Sequence, residues 1–175
     1  MKKIFLMIAA TAMFTACNGN TTTEDATTSP DSVTTEQAAE QREETAVEKM
    51  GPCSIESNDL SLDVLEGWKA TVGHFEEVTM TKNRDDNMTQ KIEVSKITSK
   101  TAAVRIDDLM STGGFVKGAD VKIGDKTYAT VRSESNEFYH LVADWGEETI
   151  LDVTINFIQP EAPEVKAVVE SVKLK

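Results

Sequence analysis

Leu60, Leu62 and Val64 alternate with Ser61 and Asp63, a period of two that sends successive side chains to opposite faces of a strand, and Glu66-Gly67-Trp68 closes the run. Residues 69–72 and 78–82 read as extended. The turn formers Asn83, Arg84, Asp85, Asp86 and Asn87 then lead into a strand over 89–97, so this region is a hairpin with a polar tip. Thr101 is placed to cap a short helix whose Ala102, Ile106, Leu109 and Met110 fall on one side, and Gly113-Gly114 ends it. Three strands follow, over 120–131 with a tight hairpin at Gly124-Asp125, over 137–145, and over 149–157 with Leu151, Val153, Ile155 and Phe157 facing inward. After Gln159-Pro160, Val165, Val168, Val169 and Val172 recur at helical spacing and form an apolar stripe. Valine is a middling helix former, so that terminal helix depends on packing against the sheet. The order of elements predicts an α+β domain, a single antiparallel β-sheet flanked by a short mid-chain helix and a C-terminal helix.

Upstream of residue 50 the alternation disappears. Met1, Lys2 and Lys3 give a positive start, and residues 4–14 are apolar, too short for a membrane span of roughly 20 residues but long enough for a secretory signal. Phe14-Thr15-Ala16-Cys17 resembles the lipobox of bacterial lipoproteins. The resemblance implies cleavage before Cys17, acylation of its thiol and amino terminus, and attachment to a lipid bilayer. Several acyl chains anchor far more firmly than one, at about 0.8 kcal/mol per buried methylene. Asn18 stands where enterobacterial lipoproteins often carry the Asp of inner-membrane retention, and no acidic cluster adjoins Cys17. By the same resemblance the expected address is the cell envelope, at the outer membrane facing the periplasm.

Residues 18–49 hold eight Thr, eight acids and no aromatic, too little apolar surface to offset the entropy of ordering the chain. The expected organisation is a signal peptide at 1–16, lipidated Cys17 with a disordered tether at 17–49, and one folded domain at 50–175. A coil of that length holds its domain on the order of 30 Å from the bilayer. Asp31-Ser32-Val33 resembles the O-glycosylation acceptor of some Gram-negative bacteria, which makes Ser32 a candidate modification site.

The 175 residues carry 30 acids against 18 Lys and Arg, a net charge of -12, which argues against nucleic acid as a partner. Removal of the signal leaves -14, a charge that favours solubility and disfavours anionic lipid surfaces. Once Cys17 is acylated, Cys53 is the only remaining thiol, so no disulfide within the chain is available. Its plain reading is an inert thiol at the domain entrance; pairing with another chain, or catalysis beside His74 or His140, are the sharper alternatives. Two histidines 66 positions apart lack ligand spacing, and the sixth residue from Asp85 is Gln90 where a calcium loop needs Gly, so neither a metal nor another cofactor is expected. Trp68 at a strand end reads as core. Trp145, beside Gly146-Glu147-Glu148, is the better candidate for a ligand or partner surface, together with Tyr139 and His140.

The strand ending in Glu66-Gly67-Trp68, the helix over 101–111, Val121-Lys122-Ile123-Gly124 and the closing Glu170-Ser171-Val172-Lys173-Leu174 resemble the PsbP-like α/β/α sandwich family over about residues 57–175. That family includes the extrinsic lumenal protein of photosystem II, a Ran-binding import factor and many bacterial lipoproteins of unassigned role. The resemblance implies a non-enzymatic module that binds proteins or assists metal-containing complexes. The resulting expectation is a lipid-anchored envelope protein acting in protein interaction or complex assembly with an unknown envelope partner. A periplasmic carrier of a small ligand or metal is the alternative.

Overall fold

The computed structural model describes residues 48–175. In chain order the elements are β1 (Glu48–Met50), β2 (Cys53–Glu56), β3 (Leu60–Val64), β4 (Lys69–Val72), β5 (Val78–Asn83), β6 (Thr89–Thr98), α1 (Ala102–Ser111), β7 (Phe115–Lys117), β8 (Val121–Ile123), β9 (Lys126–Ser133), β10 (Phe138–Gly146), β11 (Thr149–Asn156), α2 (Pro163–Ser171) and β12 (Lys173–Leu174). A nine-stranded antiparallel sheet runs β1-β4-β5-β6-β11-β10-β9, and the outer side of β9 is shared by β7 and β8. A second sheet has the order β12-β3-β2.

The large sheet is covered differently on its two faces. On one, Ala70, Met80, Ile92, Leu141, Leu151 and Ile155 meet the inner side of the small sheet (Ile55, Leu60, Leu62) and the Val165, Val168 and Val169 stripe of α2 in one continuous core. On the other, α1 sets Leu109 and Ile106 over Val131, Val142 and Ile150 in a smaller cluster. β11 lies under both, with Ile150, Leu151 and Val153 fully buried and Asp152 only 3% exposed. Thr101 caps α1 by accepting from the Val104 amide at 3.4 Å. Pro163 opens α2, where its missing N–H costs nothing.

The end of the chain joins the two sheets. Lys96 of β6 donates to the Lys175 carbonyl at 2.8 Å, the Lys175 amide donates to Asp59 O at 3.0 Å, and the Lys175 ammonium pairs with Glu56. That ammonium holds the Glu56 carboxyl below the usual carboxylate range.

An α+β domain with a single sheet and flanking helices is not the architecture found. Strands take 52% and helices 15% of the described residues, and the strands form two sheets, the larger of nine. The sequence pattern misses β1, β2, β7 and β12, which are two to four residues long, too short for alternation to register. The alternation over 60–64 does mark a strand, but its partners β2 and β12 lie in a separate sheet, which no local pattern specifies. Two inward assignments also fail. Phe157 lies beyond the end of β11 at φ 54° and is half-buried, and Met110 is 39% exposed because α1 turns Leu109 to the sheet instead.

Because β11 is packed on both sides, Leu151→Ala should cost about 2–5 kcal/mol. Urea unfolding followed by far-ultraviolet circular dichroism measures it, with exposed Val104→Ala on α1 expected to stay within about 0.5 kcal/mol.

Candidate functional site

Tyr139, His140 and Trp145 all stand on β10, and the pleat divides them. Tyr139 belongs to the core beneath the small sheet, is 6% exposed, and donates its hydroxyl to Gln159 Oε1 at 3.1 Å. His140 faces the opposite side. Trp145 shares the face of Tyr139 but is six residues along, roughly 20 Å at strand rise. The three therefore form no common site.

Trp145 does wall a cleft of its own. Continuing the β9–β10 register, which pairs Tyr139 with Arg132 and Val142 with Ala129, puts Lys126 across from Trp145. The Lys126 ammonium stands 4.4 Å from the indole centroid and donates to Asp144 O at 3.5 Å. Ile123, Tyr128, Val169 and Val172 complete an apolar wall around a space of about 250 Å³. The β8–β9 turn and α2 meet at its mouth. Gly124 there has φ 57°, and a methyl group on it would lie 3.8 Å from Glu170 Oε1, so the Glu170 carboxylate leans over that turn. Tyr128 is 1% exposed as a residue, and its hydroxyl, which makes no hydrogen bond among the described residues, is open to solvent. Burial pushes its pKa up to about 12.

On the other face, the Asp152 carboxylate takes three contacts from two partners. Arg105 of α1 reaches Oδ2 with Nε at 2.8 Å and Nη2 at 2.7 Å, and His140 Nδ1 lies 3.0 Å from Oδ1. Thr154 Oγ1 is 3.2 Å from the same ring nitrogen, and Phe115 meets the imidazole edge to face at 5.6 Å. A carboxylate accepts only, so Nδ1 carries the hydrogen toward Asp152. A carboxylate that orients a histidine is half of a general-base arrangement. No hydroxyl or thiol is hydrogen-bonded to Nε2 among the described residues, and the geometry acts as a latch for α1.

A third feature is the turn between β4 and β5. Gly73 N donates to Glu77 O at 2.8 Å, Phe75 N donates to Glu77 Oε2 at 2.9 Å, and Glu76 takes φ 64°. The Glu76 carboxylate receives the Asn58 amide at 2.7 Å and the Asn58 side-chain amide at 2.8 Å, while Ser57 Oγ donates to Glu76 O at 2.8 Å. The turn is thereby fastened to the β2–β3 loop. At its apex Phe75 is 83% exposed, with the His74 ring edge-on at 5.2 Å.

The remaining sequence candidates are placed apart. Cys53 is a half-buried free thiol 3.3 Å from Met50 O, and neither histidine is among its hydrogen-bond partners. At the β5–β6 tip Asp86 pairs with Arg84 at 2.8 Å and accepts from Met88 N at 3.2 Å. Among the described residues no three His, Cys, Asp or Glu side chains gather as metal ligands, and no helix is long and apolar enough to cross a membrane. Trp68 is core, 1% exposed. Cys17, Ser32, the signal segment and nearly all of the tether lie outside the described residues. Sequence reasoning missed Phe75, Tyr128, Arg105 and Asp152. A hairpin register drawn through the turn at 134–137 points to Lys126 opposite Trp145, whereas nothing local announces that Arg105 reaches Asp152. No family model, curated protein or solved structure matches the chain.

Arg105→Met leaves the Asp152 carboxylate buried without its cation and should cost about 3 kcal/mol or more, most of it recovered in the double variant with Asp152→Leu. Chemical denaturation of the two variants measures both effects. A second expectation concerns alkali. Unfolded tyrosine ionises near 10, so between about pH 10 and 12 the unfolded chain releases a proton that folded Tyr128 keeps. The contribution is complete below pH 10 and is lost as pH rises through 12. Thermal melts over that window should therefore fall less steeply for Tyr128→Phe than for the parent.

Proposed function

We propose that this chain is a lipid-anchored cell-envelope protein, held by acylated Cys17 at the outer membrane facing the periplasm, whose domain is a non-enzymatic interaction module for an envelope protein partner. The observation that carries the reading is the fastened presentation of Phe75. A lone exposed apolar side chain is ordinary on a protein surface. An aromatic at 83% exposure on a turn tied by six hydrogen bonds, with a non-glycine residue at positive φ beside it, is a different matter. Such strain persists only where the surroundings enforce it. Enforcing it fixes the backbone that carries the ring before any partner arrives, so little loop entropy remains to be lost on docking. Aromatic anchors in this state dominate interface energies.

The lipid anchor and tether suit the same role, because they confine the domain to one surface while letting it search the space above. The test is photo-crosslinking from benzoylphenylalanine placed at position 75 in a full-length chain expressed in a bacterial envelope. One envelope protein should be captured repeatedly from position 75 and not from exposed position 104 on α1, and Phe75→Ser should abolish co-purification of that protein. Cys17→Ser should move the chain from the membrane pellet to the soluble fraction. Equal capture from both positions overturns the docking role of Phe75, and unchanged sedimentation overturns the anchor.

A further inference from the structure

We propose that the cleft beside Trp145 binds a small zwitterion with an apolar tail, a free α-amino acid of the leucine or phenylalanine class. The inference stands apart from the docking role of Phe75, which lies on the β4–β5 turn and shares no residue with the cleft.

Three properties of the cleft carry it. The first is size and lining. A space of about 250 Å³ walled by Ile123, Val169, Val172 and the indole of Trp145 has room for on the order of eight water-sized groups at ~30 Å³ each. That is enough for the side chain and Cα of Leu or Phe, and less than a long lipid tail needs. The second is the Tyr128 hydroxyl, which reaches the cleft from a side chain 1% exposed and finds no protein partner among the described residues. The hydroxyl is open to water at the cleft, and a ligand carboxylate accepts the hydrogen bond that water otherwise takes. The third is charge. Lys126 contributes a cation at the mouth, and Glu170 and Asp125 contribute carboxylates. None of these three is in an ion pair among the described residues.

A simple carboxylic acid would satisfy Lys126 and Tyr128 but set its charge against Glu170 and Asp125. A simple amine would satisfy the two acids but place a second cation beside Lys126. A zwitterion answers both signs at once, with its carboxylate toward Lys126 and Tyr128, its ammonium toward Glu170, and its side chain on the valines of α2. Lys126 resting over Trp145 leaves that ammonium within reach of the mouth and not committed to an acid.

The experiment is isothermal titration of the full-length protein with L-leucine and with two analogues that each lack one charge, 4-methylpentanoate and 3-methylbutylamine. Leucine and phenylalanine should bind saturably, and each analogue at least about tenfold more weakly. Tyr128→Phe, which removes one oxygen, should weaken leucine about tenfold. Glu170→Gln lies on the surface of α2 and tests the site without disturbing the core. It should weaken leucine while leaving the weak binding of 4-methylpentanoate unchanged or improved, and Lys126→Met should do the reverse with 3-methylbutylamine. Absence of saturable heat with leucine and phenylalanine up to about 10 mM, a tighter fit for either singly charged analogue, or unchanged affinity in both Tyr128→Phe and Glu170→Gln would each overturn the proposal.

Discussion

A strand buried on both faces has to satisfy two cores at once, and β11 sets the terms for everything around it. Its side chains alternate between the large core, through Leu151, Val153 and Ile155, and the smaller one under α1, through Ile150. β6 and β10 run the full length of its two sides, each paired over eight residues. A one-residue slip would exchange the two sets and put Asp152 into the apolar core under the small sheet. The carboxylate therefore fixes register as well as charge, since only the α1 face offers it Arg105 and His140. The ion pair is weak as a source of net stability but strong as a penalty on the wrong arrangement.

The same alternation distributes chemistry. Neighbours in sequence become strangers in space, as Tyr139 and His140 do, while residues twenty or more apart become partners. The cleft at Trp145 needs the β8–β9 hairpin, the end of β10 and α2 together, and the Phe75 turn needs the β2–β3 loop of the other sheet. Each surface is held by contacts that cross between elements, so each is rigid for reasons that lie outside its own segment.

This explains what the sequence revealed and what it did not. The strands of the meander, the cap at Thr101 and the valine stripe of α2 are local patterns, and the structure places an element at each of them. The division into two sheets was not legible, because the alternating run at Leu60, Leu62 and Val64 looks the same whichever sheet receives it. Nor were the short strands, which are held by their neighbours and have too few residues to show a period. Trp145 was legible as a candidate from its polar flank. Its companions were not, since Tyr128 reads as an ordinary strand aromatic until the register and α2 enclose it. Phe75 carried no sequence signal at all, because its meaning comes from Asn58 and Ser57, 17 and 18 residues upstream.

The outer strands of the large sheet have a bearing on how such molecules live side by side. One border is β1, three residues long, and the other is divided between β7 and β8, also three residues each, with Gly118 turned against Thr130 between them. An unpaired border is a template on which another copy can grow by hydrogen-bonding its backbone, and the hazard rises with the length of straight border on offer. Here a broad sheet ends on both sides in fragments too brief to seed a growing ribbon. At high local concentration, where copies meet often, such a protein keeps its extensive β-structure without inviting fibrils.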